Sequence, residues 1–318
     1  MICWEQKLTE KEGVTGMNQK KRRLYRNRYL FLMMLPALVL LIVYRYIPMA
    51  GLVIAFKKFS FAKGIFGSDW VGLDNFIFLF TKHPQFLRLV WNTLAINLLK
   101  LMFYFPVPVI LALLLNELKS ARLKKWIQTT IYLPHFVSWV VFGSIIIQFL
   151  MPSTGIVNAI IKMFGGEPIF FLAEPKYFRG IVVITEIIKS AGWGTILYLA
   201  ALTSINPELY EAASIDGASR WQKMRFVTLP GISGTIVVLL LLEIGRMMDV
   251  GFEQIYVLAN TQVYSVGEVL STYIYRIGVG QAQFSITTAI GLFQSVVGLI
   301  LIASANFTCK KLFDKNLW

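Results

Sequence analysis

Six stretches of this chain are strongly apolar, near positions 30–52, 87–115, 126–150, 179–203, 232–258 and 286–309. About 20 such residues in helical form cross the ~30 Å hydrocarbon core of a bilayer. In lipid every backbone N–H and C=O must find an internal partner, so a spanning segment is a helix or a strand of a closed barrel. These runs are twice the length of a barrel strand, which predicts an all-α polytopic protein with six transmembrane helices. The second run, interrupted by Lys100, Pro106 and Pro108, and the fifth, polar in its second half, have the least defined edges. Composition agrees: 56% of the 318 residues are hydrophobic and only 15% charged, against about 25% charged in water-soluble domains.

The net charge of +14 raises the question of nucleic acid, and the location of the charge answers it. Eight basic residues precede Tyr29, including the run KKRRLYRNR from Lys20 to Arg28. No basic face with interleaved aromatics follows, so no nucleic-acid partner is expected. Counted by loop, the N-terminal tail, 116–125, 204–230 and the C-terminal tail carry eighteen Lys and Arg, whereas 53–86, 151–178 and 259–285 carry seven. The positive-inside bias then predicts both termini and the 204–230 loop in the cytoplasm. The apolar run beginning near residue 29 is long and has no small-residue cleavage site, so it is expected to be retained. Cys3 and Cys309 lie near opposite ends, and the two histidines, His83 and His135, are far apart. Neither a disulfide framework nor a metal site is expected.

One loop is built differently from the rest. EAASIDGASRWQKMRFVTLP, Glu211 to Pro230, is short and polar between two apolar runs. Asn206 before Pro207 has the form of a helix N-cap with proline at the first helical position. Glu208 and Glu211 put negative charge in the first turns, where the helix dipole favours it. Asp216-Gly217 predicts a turn. Ser219 with Gln222 three residues on predicts a capping box and a second helix, ending before Pro230-Gly231. An amphipathic helix lying on lipid is the plainer alternative. Against it, the apolar face is thin, and the small Ala212 and Ala213 let another body approach closely.

This segment resembles the EAA loop of the ABC importer permeases, with Glu211-Ala212-Ala213, Asp216-Gly217-Ala218 and Leu229-Pro230 in register. Met224 and Val227 depart mildly from the usual aromatic and isoleucine without changing apolar character. WVGLDNF (Trp70 to Phe76), NTLAINLL (Asn92 to Leu99) and TTIYLPHFVSWVV (Thr129 to Val141) are similar to the maltose-type sugar permeases. YIPMAGLVIAFKKF (Tyr46 to Phe59), GFEQIYVL (Gly251 to Leu258) and VYSVGEVLSTYIYRIG (Val263 to Gly278) resemble the LplB-like branch, associated with import of oligosaccharides, some containing uronic acids. The resemblance implies the type I ABC importer permease fold and a bacterial inner-membrane location. It implies residues 1–29 as a basic cytoplasmic tail, 30–309 as a permease domain with coupling helices at 206–230, and 310–318 as a second cytoplasmic tail. It implies a second, homologous permease, two ATPase subunits, an extracytoplasmic solute-binding protein and surrounding lipid as partners. Glu211, Ala212, Ala213, Asp216, Gly217, Leu229 and Pro230 would couple to the ATPase. No G-x-x-x-x-G-K-[ST] occurs in the chain, so ATP and magnesium are expected on the partner, with no cofactor on this chain.

A charged side chain at mid-bilayer costs roughly 2.5–3.5 kcal/mol, so it normally faces a cavity or a partner. Glu186, Lys189 and Trp193 fall on one helical face, with Tyr198 further along; Glu243, Arg246, Asp249 and Glu253 run along another. Asn92 and Asn97 lie in the second run, and Gln148 closes the third. One reading makes these the lining of a passage for sugar, with Trp193 for stacking and Arg246 for an acidic substituent. The other makes Glu186–Lys189 and Glu243–Arg246 internal ion pairs. Two other classes compete with a permease. A polytopic membrane enzyme would need paired carboxylates or a metal cluster at the surface, and no HExxH is present. A passive channel or ion-coupled carrier would have no use for the EAA loop.

Overall fold

The computed structural model describes residues 27–313; the basic residues up to Arg26, together with Cys3 and Lys315, lie outside them. The described residues divide into two compact units, residues 27–54 with 59–68, and residues 55–58 with 69–313. In the first unit, α1 (Arg28–Leu41) begins an apolar rod whose side chains are exposed all round, Met33 and Tyr44 by more than two thirds. A helix apolar on every side is matched to lipid or to another protein. The unit's second segment is pinned by Ser68, whose Oγ donates to the Gly64 carbonyl at 2.6 Å and accepts from the Ser60 N–H at 3.0 Å.

The second unit opens with a two-residue antiparallel pair, β1 (Lys57–Lys58) and β2 (Asp69–Trp70). Asn75, on α2 (Asp74–Thr81), holds it by donating to the carbonyls of Ala55 and Lys57 at 2.8 and 3.1 Å. Then follow α3 (Phe86–Leu99), α4 (Pro106–Asn116), α5 (Ala121–Phe136), α6 (Trp139–Leu150), α7 (Ile156–Met163) and the long α8 (Pro175–Leu202). After it come α9 (Pro207–Ile215), α10 (Arg220–Lys223), α11 (Leu229–Gly245), α12 (Phe252–Leu258), α13 (Leu270–Gln281) and α14 (Phe284–Phe313). Among the described residues, five continuous helices are long and apolar enough to cross a bilayer, and the α5–α6 pair makes a sixth if its two arms count as one span.

Prolines inside the spans do not end them. π-helical turns occupy Ile42–Tyr46, Lys100–Tyr104 and Met224–Thr228, each two residues short of a proline: Pro48, Pro106 and Pro230. Proline removes one backbone N–H and pushes on the carbonyl four residues back. That carbonyl belongs to Tyr44, Met102 or Phe226, inside the widened turn in each case. The extra residue relieves the clash without breaking the rod. The second span is one helix from Phe86 to Asn116, as its apolar run predicts, but one expectation is corrected: the helix after Gly217 does not stop at Pro230 and continues from Arg220 to Gly245.

Two other expectations are corrected by breaks. The third span is not straight: α5 and α6 meet at 100°. Ser138 starts α6 as N-cap, its hydroxyl accepting from the Val141 N–H, while Val137 is extended. The carbonyls left open at the end of α5 are met by Lys189 of α8, whose ammonium donates to Pro134 O at 3.3 Å, His135 O at 3.0 Å and Val137 O. A cation at a helix C-terminus is favoured on both counts, hydrogen bonding and dipole. The fifth span ends at Gly245 rather than near 258. The break that follows carries Gly251 at φ +83, and its open carbonyls are met one by one from other spans. Asn97 donates to Met247 O at 2.7 Å, Gln294 to Met248 O at 2.8 Å and Lys100 to Val250 O at 2.9 Å. Irregular backbone at membrane depth is tolerable only with such partners.

Packing between spans follows membrane rules, in which small residues let backbones approach. A Cβ on Gly192 would lie 2.0 Å from the Ile131 carbonyl oxygen, so α8 and α5 touch backbone to backbone there. Apolar cores form where α3, α13 and α14 meet (Phe86, Leu89, Leu270, Ile290), where α8 meets α12 (Phe178, Val182, Ile255), and where α4, α8 and α11 meet (Ala112, Tyr198, Ile232). His83 sits in the first of these regions, its Nε2 2.6 Å from the Tyr273 hydroxyl. Burial holds its imidazole below the ordinary pKa.

Candidate coupling loop and substrate groove

The 206–230 loop has the predicted local chemistry. Asn206 Oδ1 accepts from the Glu208 N–H at 3.1 Å, opening α9. Gly217 takes φ +74, a left-handed conformation that only glycine adopts freely. Ser219 and Gln222 form the reciprocal capping box, at 3.4 and 2.7 Å. Two contacts invisible in the motif brace the elbow: Lys223 Nζ donates to Ser214 Oγ at 2.7 Å, and the Tyr210 hydroxyl donates to Thr228 Oγ1 at 3.0 Å. The outer side of this braced elbow is exposed among the described residues. Ile215 is 88% exposed, Leu209, Trp221 and Phe226 are exposed as well, and so are Glu211, Ala212 and Asp216. Leu229 and Pro230 lie at the start of α11, at the elbow's root.

The intramembrane polar residues sort into two groups. Several are spent on structure. Asn92 is fully buried, donating to the Ser265 and Glu268 carbonyls and accepting from Arg179 at 2.8 Å. Asn97 serves the break after α11, as above. Glu186 pairs not with Lys189 but with Lys100, at 2.9 Å, and Lys100 also donates to Gln254 Oε1 at 2.7 Å. Tyr198 is 3% exposed within a core. Gln148 is exposed and donates to Thr154 Oγ1 at 3.2 Å. Trp193 stacks on His135, ring centroids 4.6 Å apart and planes 1° apart, with its outer part still exposed.

Arg246 and Asp249 stand apart from these. They line an open groove of about 940 Å³ between the α11 end, α13 and α14, with Phe252, Tyr275, Thr287 and Gln294. Glu243, one turn before Arg246, is exposed, and no Glu243–Arg246 ion pair forms. A concavity of this size lies in the usual range for ligand clefts, and an exposed guanidinium in it is placed to meet an anionic or hydroxyl-rich ligand.

Residues 104–312 match the family model described as binding-protein-dependent transport system inner membrane component. The chain belongs to this family. The permease is 45% identical to the polygalacturonan/rhamnogalacturonan transport system permease protein YteP of Bacillus subtilis (strain 168), over 96% of this chain and 97% of that one. It is also 45% identical to protein LplB of the same organism, over 98% and 96%. Among solved structures it is similar to a chain of a bacterial alginate ABC transporter in complex with alginate pentasaccharide-bound periplasmic protein. That match has a TM-score of 0.85 and 40% identity, covering 93% of this chain and 99% of that one. The permease is thus an all-α, multi-pass subunit of an oligosaccharide ABC importer and not an enzyme. Sequence reasoning missed Lys100, Gln254 and Gln294 in the permease, and also the aromatic side chains flanking the groove. Their partners are 46–154 residues away in the chain, beyond the reach of local periodicity.

Proposed function

We propose that the permease passes uronic-acid-containing oligosaccharides across a bacterial inner membrane, with both termini cytoplasmic. In this reading an extracytoplasmic solute-binding protein delivers the sugar to a cavity shared with a second permease. Two ATPase subunits grip the elbows formed by α9 and α10. ATP binding closes the ATPases, the elbows move with them, and the spans rock to expose the cavity outward; hydrolysis resets them. ATP and magnesium act on those partners. The tails, 1–29 and 310–318, lie on the ATPase side of the transmembrane domain.

The observation that carries the substrate class is Arg246, a guanidinium just past the end of the fifth span, exposed in a groove, near Glu243 but with no carboxylate within salt-bridge distance among the described residues. Such a charge is costly unless it meets water or an anion. The relatives named for polygalacturonan/rhamnogalacturonan and alginate support the same class, since those are acidic polysaccharides. The test is uptake of tetragalacturonate by the full transporter in proteoliposomes. Arg246→Gln is expected to raise KM for it by about tenfold, the size of one charge-assisted hydrogen bond, and to leave a neutral tetrasaccharide unaffected. Equal use of neutral and acidic sugars by the unmodified transporter would favour a permease for another sugar.

A further inference from the structure

We infer a second sugar subsite on the permease, outward of Arg246: an aromatic platform of Phe252, Tyr256 and Tyr275 with Arg276 beside it. It rests on the uronic-oligosaccharide reading above and extends it. Phe252 and Tyr256 lie one turn apart on α12 and stack at 5.1 Å with planes 24° apart. Tyr275 of α13 closes on both, at 5.1 and 5.3 Å. Rings clustered this way are usually buried, yet Tyr256 is 55% exposed and Tyr275 42%. They stand where two concavities meet. Tyr275 and Val279 line both the groove of Arg246 and a second one of about 360 Å³, which holds Tyr256, Tyr264 and Arg276.

Each concavity therefore brings one arginine to a shared aromatic wall. Arg276 is fixed in place. Its Nε donates to Glu268 Oε1 at 2.8 Å, its guanidinium lies 5.6 Å from the Tyr264 ring and 5.2 Å from the Tyr273 ring, and 39% of the side chain still faces out. Glu268 itself is buried, so it acts as an anchor that orients the guanidinium while leaving its outer edge open. Ser271 is among the residues around the first groove, and its hydroxyl is buried with no hydrogen-bond partner among the described residues. A chain of uronic acids presents the matching pattern: C–H faces that stack on rings, with a carboxylate and hydroxyls on each unit. The segment 259–285, which carries Tyr275 and Arg276, lies on the less basic, outward side by the charge bias. The platform then takes the sugar units trailing the one held at Arg246.

The experiment uses the full transporter in proteoliposomes, with tetragalacturonate and digalacturonate as probes. Tyr256→Ala/Tyr275→Ala should raise KM for the tetramer by about tenfold, with the dimer less affected. Tyr275→Phe, which keeps the ring, should behave as the unmodified protein, and Tyr275→Leu, which keeps bulk without a π-face, should resemble the alanine variant. Arg276→Gln should weaken the tetramer alone. Unchanged tetramer KM in the alanine and leucine variants overturns the platform, and so does dissociation of the permease pair at unchanged KM. If tetragalacturonate is not taken up by the unmodified transporter, it is the substrate-class reading that fails.

Discussion

Gly217→Val is expected to lower ATP-driven uptake and substrate-stimulated ATPase activity by about ten- to thirtyfold, while sugar binding by the delivery protein is unchanged. A Cβ at this position meets no atom within 4 Å, so the loss does not come from crowding. It comes from φ +74, a left-handed conformation that costs an L-residue about 1–2 kcal/mol and a β-branched one more. That energy favours another turn and misaligns α9 and α10, the two bodies that Lys223 and Tyr210 otherwise brace. Asn tolerates the left-handed region, so Gly217→Asn should retain most activity. Equal damage from Asn and Val would show that something other than backbone conformation matters there.

Lys100→Met is expected to be the most destabilising single change among the polar residues of the spans. It leaves Glu186 without its cation, and Gln254 Oε1 and the Val250 carbonyl without a donor. Both side chains of the pair are more than four-fifths buried. Removing one partner of a buried pair costs about 3–5 kcal/mol, whereas replacing both with apolar groups is often near neutral. The melting temperature of the detergent-solubilised transporter should fall by about 10 °C in Lys100→Met and recover in large part in Lys100→Met/Glu186→Leu. Recovery fails if Lys100 matters mainly for Val250, because the double variant leaves that carbonyl unmet. The two outcomes therefore separate the ion pair from the helix break.

The parts of this molecule that a local pattern specifies were legible in the sequence. The existence of apolar helices needs only a window of residues, and the elbow's caps, Asn206 and the Ser219–Gln222 box, are written within three residues of the atoms they satisfy. What was not legible depends on partners far along the chain. Pro230 reads as a helix end, and only the preceding π turn, which widens the helix at Phe226, lets the rod continue. Lys189 reads as a channel or ion-pair residue, yet its ammonium closes the end of a helix more than fifty positions earlier. Asn92 and Asn97 read as sugar-facing by type and Glu186 as sugar-facing or paired with Lys189, whereas in the structure the two amides meet backbone carbonyls and Glu186 pairs with Lys100. Arg246 and Asp249 face the groove because the fifth span stops at Gly245, which the apolar pattern alone did not mark.

The elbow between the fourth and fifth spans is the centre of the account, and cysteine cross-linking tests it most directly. In a chain with Cys3 and Cys309 replaced by serine, Ala212→Cys should be labelled only from the cytoplasmic face of oriented vesicles. It should form a disulfide with an engineered cysteine on the ATPase subunit, at a yield that changes when ATP is added. Labelling of that cysteine from the outer face, or an intact transporter in which it cross-links to no ATPase, would contradict the account.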